Sequence, residues 1–226
     1  PFQVEGESIT SALSFGFDPA YVSVGVCSQT RASPYFGSRS TRPYVDHGFR
    51  PAMMVAGTSS AAATLLIERS LLAAQTFPRG PGFVVRTNDN ARSAPRAFDF
   101  RYSEESFGGR ADGLEILRVD NLGGPSGANT IPGEHDLLFY FTGLTSVADL
   151  GTNSFLPGAV ADHLTSFGGV LSGAGQMTVL SWLAAGASGS FGTVREPCAY
   201  AEKFPVTHRM IGAYLGGATL IEAYWR

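Results

Sequence analysis

Residues 161–169, ADHLTSFGG, place an acid, an imidazole and two hydroxyl groups directly after an apolar run. Cys198 follows later in the chain, and a cysteine needs a neighbouring imidazole or cation to become a thiolate at neutral pH. One candidate is therefore a thiol site in which His163 acts as the base and Cys198 as the nucleophile. The simpler alternative, which we favour, is that Cys198 is buried or disulfide-bonded while His163 binds a loop carbonyl group.

The two hydroxyl groups offer a second candidate nucleophile, Thr165 or Ser166. The flanking glycines would let backbone N–H groups approach a developing oxyanion. However, the glycine–any residue–serine–any residue–glycine pattern of a nucleophile elbow is absent here, and a turn with positive φ explains the same glycines. We therefore interpret the stretch as a turn in which Asp162 accepts backbone N–H bonds and His163 orients that carboxylate.

A third candidate is a metal site made by Asp162, His163 and Glu196, with His135 as a further ligand. Carboxylates and imidazoles are suitable metal ligands. The set lacks the spacing typical of a metal motif, such as two histidines four residues apart on one helix, so we expect neither a metal nor a cofactor. The glycine-rich stretch 167–176 leads into a predicted helix, whose N-terminus could hold an anion. A metal- or anion-binding module is therefore an alternative function.

The composition excludes some classes of function. The chain has 226 residues, of which 44% are hydrophobic, and a formal net charge of -3, so it lacks the positive charge expected of a nucleic-acid-binding protein. No apolar run approaches the ~18 residues of a membrane span. Arginine supplies nearly all the basic charge, since Lys203 is the only lysine. Cys27 and Cys198 would form a disulfide in an exported protein and two buried thiols in a cytosolic one.

The elements that must position these residues form one α/β domain over 51–226, on which we expect a loop-rich extension, 1–50, to pack. A strand–helix–strand pattern opens the domain and favours parallel strands joined by crossover helices. The predicted strands are 52–57, 82–87, 114–119, 136–143, 158–164 and 187–194, and the predicted helices are 59–77, 92–107, 175–186 and two short segments at the end. The prediction is a three-layer fold, a mostly parallel sheet with helices on both faces, whose polar strand ends at 142–143, 162–166 and 195–198 meet at one edge.

Several motifs resemble an uncharacterised, sporadically distributed bacterial family whose members are usually predicted to be exported. The motifs are TGLTSVADLGTNSFLPGAVADHLTSFGG (142–169), AGASGSFGTVREPC (185–198), KFP (203–205), TLIEAYW (219–225) and, more weakly, SPYF (33–36). The resemblance implies a periplasmic, cell-surface or extracellular protein. Family members are typically longer at the N-terminus and this chain opens at Pro1, so we expect another segment to supply the opening strands of the sheet.

More distantly, the order of elements resembles the caspase-like fold of the gingipain-type (clan CD) cysteine peptidases. In those peptidases one strand ends in a histidine flanked by glycines, and the next strand ends in alanine–cysteine. Here residues 142–144, TGL, stand at the histidine position and residues 164–166, LTS, stand at the cysteine position. The resemblance therefore implies a peptidase-like scaffold in which neither member of the catalytic dyad is present.

We accordingly expect a non-catalytic, exported protein that acts as a binding or structural subunit of a larger assembly. Its partner would be another protein, its own N-terminal fragment or a second copy of the chain. The main alternative is a peptidase-like hydrolase with an atypical site, in which His163 is paired with Cys198, Thr165 or Ser166.

Overall fold

The computed structural model describes residues 8–21, 30–109, 112–173, 175–196 and 200–226. Short 3-10 turns join several of the regular elements within these ranges. The helices and strands are α1 Ile9–Phe15, α2 Pro43–His47, α3 Ser60–Ala73, β1 Pro81–Arg86, α4 Asn90–Ser93, α5 Ala97–Phe107, β2 Glu115–Asp120, β3 Leu137–Gly143, β4 Phe155–Leu164, α6 Val179–Ala185, α7 Thr207–Leu215 and α8 Leu220–Trp225.

The centre of the molecule is a parallel sheet of four strands in the order β2–β1–β3–β4. Strand β3 is buried over its whole length because packed elements cover both of its faces, as is usual in parallel sheets. Helices α5, α7 and α8 pack on one face, and α6 packs on the other. The predicted fold, a parallel sheet with helices on both faces, is confirmed.

Side chains of each strand point alternately to the two faces. Phe139, Phe141 and Val160 lie on the face covered by α5, α7 and α8. Tyr140 and Ala161 lie on the opposite face, against α6. Neighbouring residues of one strand therefore belong to separate cores, which matters for the polar end of β4.

Aromatic residues near the N-terminus pack against the last helix. The rings of Phe15 and Phe49 lie 5.5 Å and 5.2 Å from the Trp225 ring, both in edge-on geometry. Arg226 donates from Nε to the Tyr35 hydroxyl oxygen at 2.8 Å. Three aromatic residues that precede α3 are thus held to the C-terminal end of the chain.

Several elements differ from the prediction, among them helix 175–186, which is formed only over Val179–Ala185. The predicted strand 52–57 is wrong. The backbone N–H of Ala52 donates to Ser14 Oγ, and its carbonyl oxygen accepts from Trp225 Nε1, so neither group is available to a neighbouring strand. The predicted strand 187–194 is also wrong, since only a single bridge forms, between Gly189 and Val160. Helix α3 ends at Ala73 rather than at 77. No helix in the described ranges has the length and apolar character needed to cross a membrane.

Candidate functional site

Two clefts open at the carboxyl edge of the sheet. The first, which we name the edge cleft, measures ≈ 160 Å³ and is lined in part by Thr165, Ser166, Thr193, Glu196 and Lys203. It brings together residues from two of the three predicted polar strand ends. The second, the switch-point cleft, measures ≈ 400 Å³ and lies where residues following β1 and β3 meet. The strand order reverses direction at this point, and ligands of α/β proteins often bind at such a crevice.

His163 is fully buried on the α6 face of the sheet. Trp182 donates from Nε1 to His163 Nδ1 at 2.8 Å, so Nδ1 must be an acceptor because an indole can only donate. The other ring nitrogen, Nε2, therefore carries the hydrogen and donates to the carbonyl oxygen of Met177 at 3.0 Å. Burial lowers the pKa of His163 from 6.5 to about 4. Both ring nitrogens are thus occupied, which leaves neither to take a proton from a nucleophile.

Asp162 points to the opposite face of the same strand and is also fully buried. Arg96 donates from Nη1 to Asp162 Oδ1 at 2.5 Å, and the Arg96 guanidinium lies over the ring of Phe141. Burial raises the pKa of Asp162, and the neighbouring Arg96 opposes that rise. Asp162 therefore forms an interior ion pair and does not accept the turn N–H bonds that we predicted, and the sheet separates it from His163.

The loop after β4 is held by side-chain hydrogen bonds. Thr165 donates from Oγ1 to Gln176 Oε1 at 2.8 Å, and Gln176 Oε1 also accepts the backbone N–H of Phe167 at 2.9 Å. Thr193 donates from Oγ1 to the carbonyl oxygens of residues 165 and 166. Thr165 and Ser166 line the edge cleft, but the hydroxyl proton of Thr165 is committed to Gln176.

The glycines of this loop serve close packing. Neither Gly168 nor Gly169 has a positive φ, so our interpretation of these glycines was wrong. A Cβ at Gly169 would lie 2.3 Å from the carbonyl oxygen of Gly192, whose chain runs alongside. Two backbones approach each other here at a distance that no larger residue permits.

The proposed metal ligands do not converge. Glu196 lies 3.9 Å from Lys203 Nζ, and the exposed His135 lies near Ser154. Across the described ranges, no group of three or more His, Cys, Asp or Glu side chains could hold a metal ion. Cys27 and Cys198 lie outside the described residues, so the thiol site and the disulfide stay predictions.

Sequence reasoning missed two features of this edge. Three asparagines bind one another beside the switch-point cleft: Asn129 Oδ1 accepts from the backbone N–H of Asn88 at 2.9 Å and from Asn121 Nδ2 at 2.6 Å. Nothing in their spacing predicts this network. Lys203 lines the edge cleft, and its being the only lysine was the one available signal. Comparison with protein-family models, curated proteins and solved structures finds no match to the chain.

Proposed function

We propose that the chain is a non-catalytic, exported subunit of caspase-like, gingipain-type architecture that binds another protein through the outer face of α3. The parallel sheet with helices on both faces supports the architectural part of this proposal. The family resemblance of the C-terminal motifs supports export. The apolar side chains on the solvent-facing side of α3 support the proposal that the chain binds another protein there.

Helix α3 is apolar on its outer side as well as on its inner side. Leu66 packs inward and is 8% exposed, whereas Leu65, Leu71 and Leu72 are 56%, 69% and 68% exposed. Ile67 adds a fourth large side chain at 48% exposure. We define these four exposed residues as the α3 outer face. A single surface leucine is ordinary, but four large apolar side chains exposed along one helix typically mark an interface.

The charge within this face indicates what covers it. Glu68 lies between Leu65 and Leu72 at helical spacing and is exposed. If two copies paired face to face about the middle of α3, two Glu68 carboxylates would meet in an apolar contact, which is costly. A different subunit, with an apolar surface and a basic side chain opposite Glu68, avoids that cost. We therefore assign the partner as a different protein of that chemistry.

The state of His163 supports the non-catalytic part. A general base must be within reach of the proton that it removes and must have a free nitrogen to accept it. His163 has neither, because the sheet, Trp182 and the Met177 carbonyl surround its ring. The hydrolase alternative would require His163 to break both hydrogen bonds.

Photo-crosslinking tests the interface. A benzoylphenylalanine placed at Leu72, in cells that make the full chain, should give one discrete crosslinked product. Leu65→Asp and Glu68→Lys in that background should abolish the product, whereas Thr64→Ala should not. Phe98, which is 71% exposed on α5, is the matched control position for the crosslinker and should give none.

The outcomes separate the possible occupants. A product that contains only two copies of the chain would overturn the assignment of a different subunit. The absence of any product at Leu72, or a product that also forms at Phe98, would overturn the interface itself. Recovery of the chain from the cytosol alone would overturn export.

A further inference from the structure

We propose that the edge cleft binds a small 2-oxo acid covalently but reversibly, through an imine formed with Lys203. This goes beyond the proposed subunit function and does not depend on it. The geometry of the cleft, the position of Lys203 and the neighbouring charged groups carry the argument.

Lys203 is the basic side chain of the edge cleft that can act as a nucleophile. It is the only lysine among sixteen basic residues, and it lines the cleft at the carboxyl end of β4. Its side chain is 27% exposed, and Nζ donates to the carbonyl oxygen of Arg195 at 2.7 Å. The amine is therefore half-buried and oriented, and still reachable from solvent.

The surroundings favour a reactive amine. Burial lowers the pKa of Lys203, and the nearby Glu196 opposes that shift. A lowered pKa raises the fraction of neutral amine at neutral pH, and the neutral amine is the nucleophile in imine formation. Glu196 Oε2 lies 3.9 Å from Nζ, so a rotation of either side chain brings the two atoms within the ~3.2 Å at which a proton is transferred.

The cleft also determines the class of ligand. Its volume of ≈ 160 Å³ is below the roughly 300–1,000 Å³ of a typical ligand pocket, so the cleft takes only a small molecule. Arg92 lines the same cleft, where its Nη1 donates to Asp89 Oδ2 at 2.8 Å and its Nε donates to Thr165 Oγ1 at 3.3 Å. Among the described residues this leaves Nη2 of Arg92 to donate to a ligand carboxylate. Phe204 supplies an apolar wall, being 5% exposed and packed on the Arg96 guanidinium. A carbonyl group next to a carboxylate matches Lys203 and Arg92, which line the same cleft.

The reaction balances without a further reagent. Glu196 accepts a proton from the Lys203 ammonium group, and the neutral amine adds to the carbonyl carbon, forming a C–N bond. A proton then moves from the positively charged nitrogen of this adduct to its alkoxide oxygen, which gives a carbinolamine. Glu196 then returns its proton to the hydroxyl group, which leaves as water, and the protonated imine remains.

Reductive trapping tests the proposal. The full chain is incubated with pyruvate and cyanoborohydride at neutral pH, and the modified amines are quantified by peptide mass spectrometry. Arg101→Lys supplies a matched, exposed comparator, since the Arg101 side chain is 55% exposed. Lys203 should be carboxyethylated at least tenfold faster than the amine introduced at position 101, because ordinary lysines are largely protonated at neutral pH.

Two further variants test the roles of the neighbours, with circular dichroism to verify that each is folded. Arg92→Gln should slow trapping by pyruvate but not by acetaldehyde, which has no carboxylate. Glu196→Gln should slow both. Trapping at Lys203 that is no faster than at the introduced amine would overturn the site. If the Arg92→Gln variant is trapped by pyruvate as fast as the wild type, the assignment of a 2-oxo acid is overturned.

Discussion

At the scale of single residues, the polar end of β4 shows how burial decides the role of a side chain. Asp162 and His163 are neighbours in the chain, yet they face opposite cores and contact Arg96 and Trp182 respectively. Arg96 neutralises the Asp162 carboxylate, and Trp182 and the Met177 carbonyl group form hydrogen bonds with the two ring nitrogens of His163. Both contacts should therefore affect stability in ways that mutation and pH can reveal.

His163 should make the protein less stable in mild acid. Its folded-state pKa of about 4 is below the ordinary value of 6.5, so the unfolded chain takes up the proton first as the pH falls. The stabilising contribution is complete above pH 6.5 and is lost as the pH falls towards 4, by at most about 3 kcal/mol. Guanidinium unfolding across this range should show a shallower pH dependence for His163→Gln than for wild type. The exposed His135→Gln serves as the control and should keep the wild-type slope.

Arg96 and Asp162 should be strongly coupled. Arg96→Met leaves a buried carboxylate without its partner and should cost about 3–5 kcal/mol of unfolding free energy. The double variant Arg96→Met, Asp162→Leu should cost clearly less than the sum of the single variants. The same cycle on the exposed pair Arg101 and Glu105, 3.6 Å apart, should show almost no coupling. Additive costs at Arg96 and Asp162 would contradict the interior ion pair.

At the scale of elements, the loop after β4 depends on close backbone contact with the 191–193 segment. Gly169 donates its N–H to the carbonyl oxygen of Thr193 at 2.8 Å, and its Cα faces Gly192. These contacts fix one wall of the edge cleft, because Thr193 and Thr165 both line it. The loop is thus shaped by packing between two segments distant in sequence.

Gly169→Ala should therefore destabilise the protein by about 1–3 kcal/mol, because the new methyl group overlaps the Gly192 carbonyl oxygen. Gly127→Ala is the matched control: a Cβ there meets nothing within 4 Å, and its φ is not positive. That variant should stay within about 0.5 kcal/mol of wild type in thermal or chemical unfolding. Equal effects at the two glycines would show that the close approach is not needed.

At the scale of the whole molecule, the two tryptophans report on different regions. Trp182 belongs to α6 and is buried in the core against the sheet, and Trp225, the last residue of α8, packs against the aromatic residues near the N-terminus. If these regions unfold as one cooperative unit, a cavity made near Trp225 must also lower the stability seen at Trp182.

Phe49→Ala provides that cavity, since Phe49 is 1% exposed against Trp225 and Tyr35. In a Trp225→Phe background, the fluorescence of Trp182 should report a loss of about 3 kcal/mol. Val45→Ala, at a position 71% exposed, should have almost no effect. An unchanged Trp182 transition would mean that the N-terminal segment unfolds independently.

The amino-acid sequence by itself determined the parallel sheet, because fully apolar runs such as 137–141 can be buried on both faces only within such a sheet. It also located two of the three polar strand ends, 142–143 and 162–166, whereas residues 195–196 follow no strand. Helix α3 was predictable from the serine at its start and from its apolar spacing, and α7 and α8 were predicted as two short helices at the end of the sequence. These are short-range properties of the chain.

Only the tertiary structure decided what the polar residues do. Arg96 and Asp162 are 66 residues apart, and the sequence around either residue does not predict its contact with the other. The same holds for the Trp182 contact of His163 and for the Gly192 carbonyl group that requires Gly169. Burial and partners depend on which segments the fold brings together, so chemistry at this edge of the sheet is set by long-range contacts.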